Sequence, residues 1–418
     1  MSATAEIRRL SLPDGWRWFR LKEIASINPR RPSDLYRSDN ALTSFVPMEA
    51  VDGITGTIFK WMKRPFGEIK KGYTFFCEGD VLFAKITPCM QNGKHAIARS
   101  LTDGIGFGTT EFHVVRPWSD ASAEWIHYFL RQPSLLMEAT QHFTGAVGQQ
   151  RLPEDYVANI KIPLPPLPEQ RRISAILNEQ MAAVQRARKA AEERLDATRS
   201  LSTAYISRAF PRPGQSLPKG WRWERLGNLA ELKNGINFMA DQKGQGVLTV
   251  DVLNMYSNSL YISTDELYRV NINPSDQYLL KFNDMLIVRS SVKREGVGWP
   301  ALFSGYTEPV TFCGFVIRAR FISEQISPQF VAYYFRQENI RDLVIGKSGT
   351  GTITNISQSN LNNIEIPIPP ITEQKRITAI LNEQMASVEQ ACKAAEGELS
   401  TINALPASLL RQAFAGEI

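Results

Sequence analysis

"IPLPPLPEQRRISAILNEQ" occupies residues 162–180, and "IPIPPITEQKRITAILNEQ" occupies residues 366–384. The two stretches lie 204 residues apart and align without a gap over 162–195 and 366–399, where 23 of 34 positions are identical. Solenoid repeats run about 20–50 residues, so this period belongs to duplication of a whole folding unit. In each copy a Pro-Pro pair, 165–166 or 369–370, stiffens the approach and cannot sit inside a helix. From Glu169 to about Phe210 no Gly or Pro intervenes. Ile173, Leu177, Met181, Val184, Ala191, Leu195, Thr198 and Tyr205 fall at steps of three and four, interrupted by Arg188 and Ser202. That spacing predicts one long helix with a single apolar stripe. Ile377, Leu381, Met385, Val388, Ala395, Leu399 and Ile402 repeat the stripe in the second copy. There Gly397 weakens the helix and Pro406 is expected to kink or interrupt it.

The duplication reaches beyond the helices. "LPDGWRWFRLKEIASI" from Leu12 matches "LPKGWRWERLGNLAEL" from Leu217, and "GDVLFAKI" from Gly79 resembles "NDMLIVRS" from Asn283. "YFLRQ" from Tyr128 resembles "YYFRQ" from Tyr333, and "TGAVGQQRLPEDYVANIKIP" parallels "SGTGTITNISQSNLNNIEIP". Between these landmarks, residues 28–75 have little in common with 233–279. One scaffold therefore carries two different surfaces. The bodies alternate short β-rich runs ("DVLFAKI", "EFHVVRP", "DMLIVRS", "CGFVIRARF") with turns. "SAEWIHYFLRQPSLLMEAT" and "SPQFVAYYFRQENIRDLV" each read as one short helix after a capping Ser. The predicted class is α+β, with a curved antiparallel sheet in each body.

An exposed stripe on a long helix needs a partner, and the obvious one is the other copy. Antiparallel pairing would give a two-helix rod of roughly 60 Å, at 1.5 Å per residue, with unlike heads at its ends. On duplex DNA, about 40–60 Å corresponds to about 12–18 base pairs, which suits a split, asymmetric site with an unread spacer.

Composition permits this without demanding it. The 418 residues carry 48 Lys and Arg against 42 Asp and Glu, a net charge of +6. That mild excess is compatible with a nucleic-acid partner. Cys77, Cys89, Cys313 and Cys392 form no C-x-x-C pair, and His95, His113, His127 and His142 are scattered, so neither disulfides nor a metal site is expected. No apolar run approaches 18 residues and the first residues lack a signal peptide's apolar core, which predicts a soluble cytoplasmic protein.

Chemistry is sparse. No N/D-P-P-Y/F motif for a flipped base is present. "GIGFG" at 104–108 reads as a strand turn, and "GKSGTG" at 346–351 lacks the first glycine of a phosphate loop upstream of its Gly-Lys-Ser. Glu68-Ile69-Lys70 matches nuclease spacing by chance. The chain is read as non-catalytic, with no cofactor or metal of its own. DNA-contact candidates are Lys85, Lys94, Gln149, Gln150 and Arg151 in the first copy, and Arg289, Lys293, Arg294, Thr350, Thr352 and Asn355 in the second. Lys and Arg suit phosphates, and these types also suit base edges. Trp16, Trp18, Trp221 and Trp223 read as core anchors, since both copies keep them.

The proline hinges, the two "AILNEQ" helix starts, the LP-x-GW-x-W openings and the terminal "LLRQAFAGEI" together resemble the specificity subunit of type I restriction–modification systems, over almost the whole chain. The resemblance implies two target-recognition domains, 1–167 and 212–371, with spacer helices at 168–211 and 372–418. It implies that each domain reads one half of a bipartite site in double-stranded DNA. It further implies docking of two adenine-methyltransferase subunits that bind S-adenosylmethionine, and possible association with ATP-dependent restriction subunits. The competing expectation is a bivalent protein-binding scaffold without sequence-specific DNA binding.

Overall fold

The computed structural model describes residues 12–146, 149–257, 259–292, 294–346 and 354–418. It divides into two compact units: Met1–Glu192 with Gly397–Ile418, and Glu193–Glu396. Each unit therefore owns its own repeat body and parts of both long helices.

Each unit is closed at its root by the shared motifs. In the first unit the opening strand Arg17–Arg20 pairs antiparallel with Lys161–Leu164, setting Trp18 opposite Pro163. In the second, Arg222–Arg225 pairs with Glu365–Ile368, setting Trp223 opposite Pro367. The start and end of each repeat are thus clipped together where the proline hinge begins.

Above this clip lies a framework sheet common to both units. In the first its order is Ala25–Ile27, Phe112–Pro117, Val81–Ala84, His95–Ile97, all antiparallel. In the second it is Ala230–Asn234, Val316–Phe321, Met285–Val288, Pro300–Leu302, again antiparallel. "VLFA" and "MLIV" are buried at every position, which is why these runs do not alternate.

The divergent bodies build a second sheet, and here the single curved antiparallel sheet expected from the sequence is replaced. The first unit orders Met62–Pro65, Leu42–Val46, Ile105–Gly108, Thr74–Cys77, with the central pair parallel. The second has three strands, Tyr268–Val270, Lys243–Val250 and Val310–Phe312, with the last pair parallel. "GIGFG" is a strand rather than a turn. A Cβ on Gly106 would collide with the Phe76 ring, so the close layer needs glycine there.

The single short helix expected in each body is a pair. Ala123–Leu130 ends before Pro133, which opens Pro133–Thr140 at its first turn. Pro328–Phe335 and Glu338–Ile345 repeat the break without a proline at the second start. Ser122 and Ser327 cap the first member of each pair by accepting from Trp125 N and Phe330 N.

The long helices run Leu167–Ala209 and Ile371–Ala415, 43 and 45 residues. Within the first unit, Ile173 and Leu177 share a core with Leu410, Ala413 and Phe414, and Arg172 Nη2 donates to Ile418 O at 3.0 Å. Within the second, Ile377 and Leu381 share a core with Ile206 and Phe210, and Arg199 pairs with Glu396 at 2.9 Å. In each unit the start of one helix lies beside the end of the other, so they run antiparallel. Pro406 does not interrupt the second helix, which continues to Ala415. The buried Leu410, Ala413 and Phe414 just beyond it hold the last turns in place despite the missing N–H.

The repeated Glu-Gln at the helix starts has a structural reason. Gln170 is fully buried; its Oε1 accepts from Ser122 N at 2.8 Å and its Nε2 donates to Asp120 O and Pro165 O at 2.9 and 2.8 Å. Gln374 makes the same three bonds, to Ser327 N, Gln325 O and Pro369 O. Each amide joins long helix, proline hinge and framework helix. Gln170→Leu strips partners from three backbone groups, each costing about 1–3 kcal/mol when buried unpaired. Thermal unfolding should show the first unit destabilised by about 2–4 kcal/mol after partial relaxation.

Candidate nucleic-acid interface

Three segments far apart in sequence converge at one corner of each framework sheet. In the first unit the buried strand Val81–Ala84 ends at Lys85, whose backbone N donates to Glu111 O at 2.9 Å and whose O accepts from Leu152 N at 2.8 Å. In the second unit Arg289 follows Met285–Val288; its N donates to Phe315 O at 2.8 Å and its O accepts from Ile356 N at 3.0 Å. A bridge between Ile86 and Arg151, and a short ladder between Ser290 and Asn355, tie the glycine-rich return to the same place. Lys85 thus stands with Arg151, and Arg289 with Asn355, at matching positions.

The chemistry at the two corners differs. Arg151 grips Glu111 with both prongs, Nε to Oε2 at 2.9 Å and Nη2 to Oε1 at 2.7 Å, and its Nη1 donates to Gln149 O at 3.1 Å. The Arg151 bonds hold the Glu111 carboxyl below the usual carboxylate range, with the Lys85 charge adding to them. At the matching place the second unit exposes the Phe315 ring, 57% accessible, beside half-buried Arg289 and exposed Asn355. Val292, 81% accessible, and Tyr256, whose hydroxyl donates to Ser291 Oγ at 3.3 Å, lie in or against the loop that follows Arg289.

The remaining candidates are spread. Gln149 is exposed, and Gln150 is half-buried with its carbonyl accepting from Thr87 N at 3.1 Å. Arg294 is exposed in the turn Arg294–Gly296. Lys94 stands apart: its ammonium donates to Met48 O and Val51 O at 3.1 and 3.0 Å, bracing the body from inside. Its counterpart, placed by Lys94 O and Trp299 O accepting from Ala84 N and Val288 N, is half-buried Trp299. The Arg336 and Arg341 guanidiniums stand 4.9 and 5.2 Å from that ring. Lys293, Thr350 and Thr352 lie outside the described residues. Sequence reasoning missed Glu111 and Phe315; each precedes the last framework strand, and the 204-residue offset pairs them. Trp16 is a core anchor, edge-on to Trp125 at 5.3 Å, and Trp221 meets Phe330 likewise at 6.2 Å.

Among the described residues no cluster of His, Cys, Asp and Glu could hold a metal ion, and no helix is long and apolar enough to cross a membrane. Two unlike corners on one repeated framework, each followed by a long helix, define a paired recognition protein. Residues 13–191 and 218–393 match the type I restriction modification DNA specificity domain, once per repeat, and the chain belongs to that family. It is the non-catalytic DNA-recognition subunit of a type I restriction–modification complex. It is 26% identical over 470 residues to the EcoEI specificity subunit of Escherichia coli, covering 89% of this chain and 78% of that one. The EcoAI specificity subunit of the same species is 40% identical over 169 residues, 40% of this chain and 28% of that one. Among solved structures, a chain from work on assembly and conformational transition of the type I R-M system has a TM-score of 0.82 at 24% identity, covering 98% and 100% of the two chains. The HsdS subunit from Thermoanaerobacter tengcongensis gives 0.61 at 24% identity, covering 98% of each. At that identity these structures show the shared fold.

The first corner rests on buried histidines. His113 Nε2–H donates to Leu152 O at 2.8 Å, where the glycine-rich segment rejoins the framework, and Nδ1 accepts from Asn28 Nδ2 at 3.0 Å. Burial lowers its pKa. Burial also drives His95 well down and His127 to about 3. All four histidines of the chain lie in the first unit. The folded unit refuses protons that the unfolded chain accepts below about pH 6.5, so its stability falls as pH drops through that value towards the folded pKa. At pH 5 the loss from His127 alone is on the order of 2 kcal/mol. Hydrogen exchange between pH 7 and 5 should show opening of the first unit while the second, without histidine, keeps its protection.

Proposed function

We propose that each body reads one half of an asymmetric bipartite sequence in duplex DNA, using the framework corner and the divergent sheet beside it. The observation that carries this reading is one backbone corner furnished twice with different chemistry. Lys85 with the Arg151–Glu111 pair offers charge and a fixed carboxylate, whereas Arg289, Phe315 and Asn355 offer a cation, an aromatic face and an amide. Lys and Arg suit phosphate positioning, and an amide can read an adenine edge in two bonds. Duplicate corners that served only as structure would have no need to diverge so far.

The long helices set the unread spacer and dock two adenine-methyltransferase subunits. S-adenosylmethionine is held by those subunits, and this chain supplies no group to it. ATP-dependent restriction subunits complete the assembly in this reading. The support is the repetition of the helix starts, which offers a similar surface twice.

The test uses the chain with its methyltransferase partner on duplex libraries, reading methylated adenines. Exchange of residues 28–150 for the matching region of another specificity subunit should change one half of the recognised sequence and leave the other. Asn355→Ala should relax one base pair of the second half by about 1–3 kcal/mol, roughly 5- to 150-fold. Lys85→Ala should weaken binding to all sequences and lower the salt slope by about 1. Uniform methylation by the unaltered complex would overturn the reading in favour of a protein scaffold.

A further inference from the structure

The repeated "YFLRQ" and "YYFRQ" have no place in the recognition corner, yet the first Tyr, the Arg and the Gln of the pattern make the same kind of bond in both units. Tyr128 donates to Asn178 Oδ1 on the first long helix at 2.6 Å, and Tyr333 donates to Asn382 Oδ1 on the second at 2.7 Å. These asparagines are the Asn of the two "AILNEQ" segments. Gln132 and Gln337 are buried and donate to Phe129 O and Tyr334 O, closing the helix that ends there. The arginine between them turns the other way, into the divergent body.

Arg131 Nη2 donates to Gly53 O and Ile54 O at 3.0 and 2.6 Å. Asp52 shapes the turn that presents those carbonyls, accepting from Ile54 N and Thr55 Oγ1, each at 2.9 Å. A Cβ on Gly56 would overlap the Arg131 guanidinium, so the turn is fitted to it. Arg336 donates to Ser259 O across 77 residues. The second turn is built differently, with Ser257 Oγ donating to Ser259 O and Tyr261 O at 3.2 and 2.9 Å. Two unrelated turns therefore deliver carbonyls to equivalent arginines. Burial lowers the pKa of both, Arg336 to about 10, so neither cation sits there without cost to its hydration.

We infer that Arg131 and Arg336 are positioning residues: each fixes its recognition body to the long helix through the Tyr–Asn bond one turn earlier, so that base reading stays in register with the docked methyltransferase. This rests on the DNA-reading function proposed above. The geometry is a short rigid path in each unit, body turn to arginine, arginine to framework helix, tyrosine to long helix. A registration device should act on its own half of the site and leave the other untouched.

The test compares methylation by the full complex on the cognate duplex and on duplexes with single substitutions in either half, the first half being defined by the 28–150 exchange. Arg131→Met should reduce discrimination in the first half at least about 10-fold and leave the second half unchanged; Arg336→Met should do the reverse. Arg131→Lys, which keeps a donor for the carbonyls, should restore most of it. Tyr128→Phe removes only a hydroxyl and should give the same half-site bias in smaller measure, which keeps the test alive if Arg131→Met fails to fold. Equal loss in both halves, or unchanged ratios in Arg131→Met and Tyr128→Phe, would overturn the inference while the unaltered complex still discriminates. An unaltered complex without preference would overturn the DNA reading and this inference together.

Discussion

The buried amides of Gln170 and Gln374 are the joints on which each unit depends. A glutamine offers one acceptor and two donors in a plane, and here all three are used on backbone. The groups it satisfies sit where ordinary secondary structure runs out: a framework helix begins, a Pro-Pro hinge ends and a long helix starts. Prolines supply no N–H, so the hinge carbonyls need outside donors. Once the amide is buried with every bond made, the helix leaves the body in one direction only. Glu169–Arg172 and Glu373–Arg376 decorate the same turns from the solvent side at 2.7 Å and add little, being exposed i,i+3 pairs.

The framework sheet explains how one scaffold tolerates two bodies. Its central strands are buried on both faces and held by a paired acid and base at the edge: Arg116 with Asp80, and Arg320 with Asp284, both at 2.7 Å. The same aspartates cap the preceding turns, accepting from Cys77 N and Lys281 N at 2.7 and 2.8 Å. Cys77 ends the strand Thr74–Cys77 of the first body's sheet, so this cap also ties body to framework there. The bodies differ in strand number, yet each packs onto one face of its framework sheet: Val46 and Phe76 share a core with Leu82, Ala84 and Ala96, and Leu248 and Phe312 share one with Leu286, Val288 and Ala301. Whenever a body changes, that packing and the turn carbonyls that meet Arg131 or Arg336 must be re-made.

How much of this was written locally in the chain can be judged from particular residues. The long helices and their stripe were legible because 3.6-residue periodicity is a local property and the duplication showed it twice. Lys85 with Arg151, and Arg289 with Asn355, were legible as corresponding positions, although nothing local says that residues 85 and 151 meet. The parallel pairing of Leu42–Val46 with Ile105–Gly108 left no mark, because about 60 residues separate the strands and a parallel ladder needs no turn between them. Lys94 read as a contact because a lysine after "QNG" looks solvated; its capture by Met48 O and Val51 O depends on a body turn that sequence does not place. The broken helix had a signal in Pro133, overlooked because the apolar spacing runs through it, and no signal at all at Gln337.

The ends of the long helices carry the duplication one step further. In the first unit Phe414 packs 4.5 Å from the Trp125 ring and 5.1 Å from Phe129. In the second, Phe210 takes the matching place, 5.0 Å from Phe330 and 5.5 Å from Tyr334. Each aromatic socket thus belongs to one repeat and its plug arrives at the end of the other repeat's helix. For the second unit the plug precedes the socket by little more than a hundred residues; for the first it follows by nearly three hundred. Closing the longer loop costs only slightly more entropy, since the cost grows with the logarithm of length. The kinetic consequence is larger. The first unit cannot complete its core until the last helix turns have formed, so this socket's contacts are the more non-local and its closure the slower of the two. The second unit, with all its pieces contiguous in the chain, can form first and offer the start of the last helix as a template along which Leu410, Ala413 and Phe414 are brought home.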